Sequence, residues 1–171
     1  MTYASLLARF SSSRPDQQKA IFSTLFIAGN KLQTLFDSHI PQVSLKQFML
    51  LSLVRQAKPP LSLTRLGSLL GCSRQNVKKL AAVLEQKGFL SIRPDSDDPR
   101  AVSVRLTEQG EHFFQVEFAA YQGELDYLFQ VYSEQEVETL FQLMSKLYEG
   151  IERLTEKINQ EANHEPDSRP V

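Results

Sequence analysis

At 171 residues, with 42% hydrophobic and 23% charged residues, the chain suits one domain with a sizeable core, or a subunit whose termini build a dimer. One cysteine excludes an internal disulfide and suits a reducing cytoplasm. No apolar run approaches the roughly 20 residues of a membrane span, and nothing near the start resembles the apolar core of a signal peptide, so a soluble protein without a membrane partner is expected. The net charge of −1 is unevenly placed: residues 55–105 hold ten Lys/Arg against four acids, and residues 106–171 hold four against fourteen. The middle of the chain is therefore the part suited to face phosphate, and the acidic end the part that faces away.

Residues 1–16 read as an arm, with a short helix marked by Tyr3, Leu6, Leu7 and Phe10 and a breaker over residues 11–15. A long helix is predicted over 17–38, where Ile21, Leu25, Ala28, Leu32 and Leu35 recur at helical spacing and Phe22, Phe26 and Phe36 widen the stripe. Ser44 caps a helix running to about residue 57, with Phe48, Leu51 and Val54 inward. Ser62 caps the next, short helix, which buries Leu63, Leu66 and Leu70 and stops at Gly71; Gly67 would let a neighbouring helix come close. Ser73 caps the one after, whose Val77, Leu80, Ala81 and Leu84 form an apolar face that Gly88 closes. Its outer side carries Arg74, Gln75, Asn76, Lys78, Lys79 and Gln86, side-chain types that hydrogen-bond base edges and phosphates. For an isolated helix this is an ordinary solvated face.

The flanking segments give that face another meaning. After Gly88 the period becomes two: Leu90 and Ile92, then a turn over residues 94–99, then Val102, Val104 and Leu106. Helix, tight turn, helix and charged-tip hairpin make a winged helix-turn-helix. Thr107 caps a further helix with Phe114, Phe118, Tyr121, Leu125 and Leu128 on one side. Ser133, with Glu136 three residues on, opens a last helix whose Val137, Leu140, Met144, Leu147, Ile151, Leu154 and Ile158 form a heptad-like seam. Residues 159–171 read as a polar, disordered tail.

Residues 63–106, LTRLGSLLGCSRQNVKKLAAVLEQKGFLSIRPDSDDPRAVSVRLT, resemble the DNA-binding lobe of the MarR (multiple antibiotic resistance regulator) family. The resemblance implies that the second motif helix enters the major groove and the hairpin tip a flanking minor groove. The family's Asp-x-Arg wing motif stands here as Asp98-Pro99-Arg100, which implies that Arg100 enters the minor groove and Asp98 holds its guanidinium. Pro99 departs from the family's frequent basic residue at the middle position. The resemblance also implies a two-fold dimer through the terminal helices, and the residues agree, since three long apolar stripes find little surface on a lobe spanning residues 58–106.

The expected organisation is mainly α with a small β wing: an arm (1–16), N-terminal dimerisation and support helices (17–57), a winged helix-turn-helix lobe (58–106), C-terminal dimerisation helices (107–158) and a tail (159–171). Gln75 and Asn76 are placed to read base edges, Arg74, Lys78 and Lys79 to hold phosphate, and Ser62 and Ser73 to present helix N-termini to phosphate. Arg93 and Arg105 flank the wing or are plain surface charges. The function expected is a sequence-specific, double-stranded-DNA-binding repressor, a cytoplasmic homodimer on a palindrome. The resemblance further implies modulation by a small aromatic or anionic effector at the junction of lobe and dimer helices. Phe36, His39, Phe48 and Tyr121 lie in reach, though ordinary core is their simpler reading. The alternative is a winged helix that binds protein rather than DNA. Cys72 is expected buried and unreactive, the three histidines lack the spacing of a zinc site, and no nucleophile–base pair, phosphate loop or cofactor motif marks an enzyme.

Overall fold

The computed structural model describes residues 2–10, 12–94 and 102–164. The chain divides into two compact units, Met1–Val116 and Glu117–Val171.

In the first unit, α1 (Tyr3–Leu7) and a 3-10 turn (Ala8–Phe10) precede α2 (Arg14–His39). The Tyr3 hydroxyl lies 3.3 Å from Thr24 Oγ1, and the Lys31 ammonium sits 5.8 Å from its ring centre. α2 begins at Arg14 rather than at residue 17. Ser13 Oγ accepts from the Asp16 N–H at 3.3 Å, and Pro15 falls in the first turn, where it has no N–H to lose. The expected breaker is a helix start.

α3 (Leu45–Gln56) opens with a reciprocal capping box: Ser44 Oγ accepts from the Gln47 N–H and Gln47 Oε1 from the Ser44 N–H. It buries Leu50, Leu51 and Val54, whereas Phe48 is half-buried. Phe48 belongs to an aromatic ladder, with Phe36 at 5.2 Å and Phe114 at 5.7 Å; Phe114 then meets Phe113 at 5.5 Å, and Phe113 meets Phe89 at 5.4 Å. Such ring pairs add about 0.5–1.5 kcal/mol beyond their buried area. Phe36 and Phe48 thus pack on each other, both half-buried.

α4 (Leu63–Leu70) and α5 (Arg74–Gln86) follow, then β1 (Leu90–Pro94) and β2 (Val102–Leu106), paired antiparallel with Leu90 opposite Leu106 and Ile92 opposite Val104. α4 buries Leu63, Leu66 and Gly67, while Leu70 is half-buried. The strand alternation holds at Val104 and Arg105, but Ser103 is also buried, because Ser62 pairs with it across the outer edge of β2. Of the turn expected over 94–99, all but Pro94 lies outside the described residues.

Thr107 caps α6 (Glu108–His112), accepting from the Gly110 N–H at 3.1 Å. The single helix expected from here is segmented: a turn of π-helix (Phe113–Glu117) and a 3-10 turn (Ala119–Tyr121) come before α7 (Gln122–Phe129). The widened turn coincides with two successive buried rings, Phe113 and Phe114.

In the second unit, α8 (Glu134–His164) starts as predicted. Ser133 Oγ accepts from the Glu136 N–H, and Glu136 Oε2 accepts from the Ser133 N–H at 2.8 Å and its hydroxyl at 2.9 Å. The backbone bond first, then the hydroxyl, hold the Glu136 carboxyl below its ordinary value. α8 runs to His164 instead of ending near 158, because Gln160, Glu161 and Ala162 are good helix formers. Residues 165–171 of the expected tail lie outside the described residues. Within one chain the heptad seam is largely open to solvent, Ile151 being 51% and Leu154 57% exposed; on α2, Phe22 and Phe26 are 64% and 61% exposed.

Candidate nucleic-acid interface

The two motif helices end alike. Gly71 (φ 64°) closes α4 with Cys72 N–H donating to Gly67 O and Gly71 N–H to Ser68 O; Gly88 (φ 78°) closes α5 with Phe89 N–H donating to Leu84 O and Gly88 N–H to Glu85 O. Each positive φ is cheap only for glycine, and each double bond satisfies helix carbonyls that would otherwise be orphaned. Gly67 sets the distance between the helices: a Cβ there would lie 2.7 Å from the Cys72 carbonyl oxygen. Cys72 itself is half-buried rather than buried, because it sits in the turn, between the two helices.

Val77, Ala81 and Leu84 anchor α5 with no exposed surface, and Leu80 is half-buried beside them. Burying a valine or leucine stabilises by about 1.5–3 kcal/mol. At 100° per residue this turns Gln75, Lys79, Ala82 and Gln86 directly outward, with Arg74 and Lys78 on one shoulder and Asn76 on the other. All seven are exposed. No ion pair occupies Arg74, Lys78 or Lys79 among the described residues.

Both predicted cap serines are engaged at helix starts. Ser62 Oγ accepts from the Arg65 N–H at 3.2 Å and Ser73 Oγ from the Asn76 N–H at 3.3 Å. The N–H groups of the first two residues in each helix remain without an intrahelical acceptor, leaving partial positive charge at both ends. Ser62 also lies at the sheet edge through its bridge to Ser103. The expected wing pair, Asp98 and Arg100, lies outside the described residues.

Two side chains that the sequence did not single out hold the C-terminal end of α5. Glu85 Oε1 accepts from the Ile92 N–H of β1 at 2.8 Å. Lys87 Nζ donates to the Gln42 carbonyl at 2.8 Å and to Gln47 Oε1 at 3.4 Å, tying α5 to the start of α3. Glu85 stands seven residues from its partner and Lys87 more than forty from the farther of its own, spacings without a local signature.

Residues 43–102 match the model of the MarR family. This stretch is a MarR-family domain. The MarR match opens just ahead of α3 and closes at the first residue of β2, covering α3, the helix pair and the first strand of the wing. Transcriptional repressor MprA of Escherichia coli (strain K12) is 28% identical over 105 residues, which span 61% of this chain and 60% of that protein's length. The crystal structure of a MarR/EmrR family transcriptional regulator from Acinetobacter sp. ADP1 superposes with a TM-score of 0.68 at 21% identity, covering 80% of this chain and 97% of that one. The crystal structure of a MepR–DNA complex from S. aureus gives 0.65 at 19% identity, covering 76% and 97%. At these identities the two crystal structures share the MarR fold. Among the described residues no helix is long and apolar enough to cross a membrane.

Proposed function

We propose that this chain is a sequence-specific, double-stranded-DNA-binding transcriptional repressor that acts in the cytoplasm as a homodimer on a palindromic operator. The observation that carries the reading is the outer face of α5. Arg74, Gln75, Asn76, Lys78 and Lys79 are all exposed on a helix anchored on its other side by the buried Val77, Ala81 and Leu84, in the most basic stretch of the chain. Gln75 and Asn76 read adenine edges in the major groove, and Arg74, Lys78 and Lys79 hold phosphates together with the helix starts at Ser62 and Ser73. Arg100 enters the minor groove with Asp98 bracing it. That the related MprA is a repressor and that MepR forms a complex with DNA supports the assignment.

The open apolar faces of α2 and α8 support the dimer, because such stripes are stable in water only when covered. Residues 17–57 and 107–158 then supply the dimer helices and residues 58–106 the DNA lobe. Two α5 helices about 34 Å apart read half-sites one turn apart. A small organic effector shifts the spacing of the two lobes and with it operator affinity.

Selection of bound duplexes from a random library tests the reading. An inverted repeat with half-sites roughly 10 bp apart is expected. With Arg74, Lys78 and Lys79 each contacting phosphate in both protomers, log affinity should fall with log salt at a slope of about −5. Folded, dimeric protein that enriches no sequence would overturn the proposal.

A further inference from the structure

Between α2 and α3 the chain turns over residues 40–44, and this short turn joins α2 to the helices of the DNA lobe. Ile40 and Val43 are buried in it, and the Phe36 and Phe48 rings meet beside it at 5.2 Å. Apolar contacts hold two elements together without fixing the angle between them, because burial is non-directional. Direction comes from hydrogen bonds.

Two charged side chains supply them. Asp37 stands in the last turn of α2, where the helix dipole disfavours an anion. Its Oδ1 accepts from the N–H of Leu45 at 2.6 Å, the first residue of α3, where the dipole of that helix favours the charge. Lys87, which caps the end of α5, donates through Nζ to the Gln42 carbonyl at 2.8 Å and to Gln47 Oε1 at 3.4 Å. Gln47 Oε1 also accepts from the Ser44 N–H at 3.2 Å, so the bonds run from α2 through the turn and the start of α3 to α5. In the same turn Gln42 Oε1 is buried without a hydrogen-bond partner. An orphaned acceptor disfavours this setting of the turn against one that wets it. The two charged bonds therefore hold the turn against a tendency to shift.

The lever they control is long. Lys87 holds one end of α5, and Gln75 lies twelve residues back along it. That separation is about 18 Å, so a tilt of about 10° at the turn moves Gln75 by about 3 Å, close to the roughly 3.4 Å rise of one base pair. We infer that Asp37 and Lys87 are positioning residues that set which half-site spacing the protein accepts. The inference deepens the proposed function and rests on its dimeric, DNA-binding reading.

The test repeats the duplex selection with the full-length parent, Asp37→Ala and Lys87→Met, and compares the distances between recovered half-sites. The parent should yield a single spacing. Each variant should also accept spacings about one base pair shorter and longer, with the half-site sequence unchanged. With each lobe dividing its time among about three settings, the competent fraction of a dimer is about one ninth, so affinity for the parent operator should fall about 10-fold. Asp37→Asn and Lys87→Arg, which keep an acceptor and a donor, should return the single spacing. A variant that loses affinity or thermal stability while keeping the parent spacing overturns the assignment. So does a Lys87→Met protein whose sole change is a shallower salt slope, the mark of a phosphate contact. Residual dipolar couplings of the α2 and α5 amides in the DNA-free protein read the same angle independently. They should fit one orientation in the parent and be scaled down in α5 relative to α2 in Asp37→Ala and Lys87→Met; couplings that keep the parent pattern overturn the inference. A parent that enriches no duplex sinks the DNA reading instead, and the couplings still decide whether the two bonds fix the angle.

Discussion

Replacing Gly67 by alanine tests how closely the two motif helices are held. In most helix interiors this change stabilises by about 1 kcal/mol, because glycine has more backbone freedom to lose. Here the new methyl would meet the Cys72 carbonyl oxygen at 2.7 Å, with the Arg74 nitrogen and the Ser73 carbonyl carbon at 3.5 Å. All three are backbone atoms of the turn, and Cys72 is tied back to Gly67 by its own N–H at 2.9 Å. The oxygen cannot swing aside as a side chain would, so α5 must move away from α4. Overpacking of this kind costs about 1–3 kcal/mol, and the backbone obstacle places it toward the upper end. Set against the helix-propensity gain, the expected net loss is about 1–2 kcal/mol. At roughly 2–4 °C per kcal/mol for a chain of this size, the midpoint of thermal unfolding should drop by about 2–8 °C. Circular dichroism at fixed protein concentration measures it, with Ser68→Ala, exposed on the same helix, as a control expected within about 0.5 kcal/mol of the parent. A Gly67→Ala protein as stable as the parent, or more so, would refute the close approach.

Other expectations concern the same lobe and the start of α8. Glu85→Ala removes the acceptor for the Ile92 N–H, so that amide should exchange with solvent about 5-fold faster, as for loss of a bond worth about 1 kcal/mol; Glu85→Gln keeps an acceptor and should exchange nearly as the parent does. Equal exchange in the alanine variant would remove the brace. Lys78→Gln, present twice in a dimer, should make the salt slope of duplex binding shallower by about 2 while leaving sequence preference unchanged; an altered consensus in the selected duplexes would assign Lys78 to a base instead. The Glu136 carboxyl is held below its ordinary value of 4.5 by bonds from Ser133. Its support for the start of α8 is therefore complete above pH 4.5 and lost as pH falls through the depressed value. The Ser133 amide shift should titrate with a midpoint below 4.5, and a midpoint at or above it would contradict the cap.

What is legible in the chain is local. The caps at Ser44, Ser62, Ser73, Thr107 and Ser133 act within three residues of the side chain, and the buried face of α5 repeats at a fixed spacing, so both can be read without tertiary information. The basic bias of the lobe and the outward set of Arg74, Gln75, Asn76, Lys78 and Lys79 follow from the same periodicity and from the residue types themselves. Departures arise where context decides. Pro15 looks like a breaker in sequence, although the first turn of a helix tolerates it. The segmented stretch after α6 coincides with two adjacent phenylalanines entering the core, and Ser103 is buried where Ser62 bridges to it across the sheet edge. The bonds of Asp37 and Lys87 at the turn after α2 depend on separate segments meeting, which no spacing along the chain reveals.

A two-stranded hairpin ordinarily presents two rows of unsatisfied backbone groups, each a template on which a second molecule can add a strand. In this wing both rows are interrupted. Ser62 sits across the outer side of β2 at Ser103, and the Glu85 carboxylate takes the Ile92 N–H on the outer side of β1. The second plug is charged, so a strand that displaced it would trap a carboxylate against its own backbone carbonyls. The wing is thereby kept from templating sheet growth with neighbouring molecules, even though it has only two strands. Removing Glu85 would expose a sticky edge as well as loosen a helix, and the first sign would be turbidity at high protein concentration.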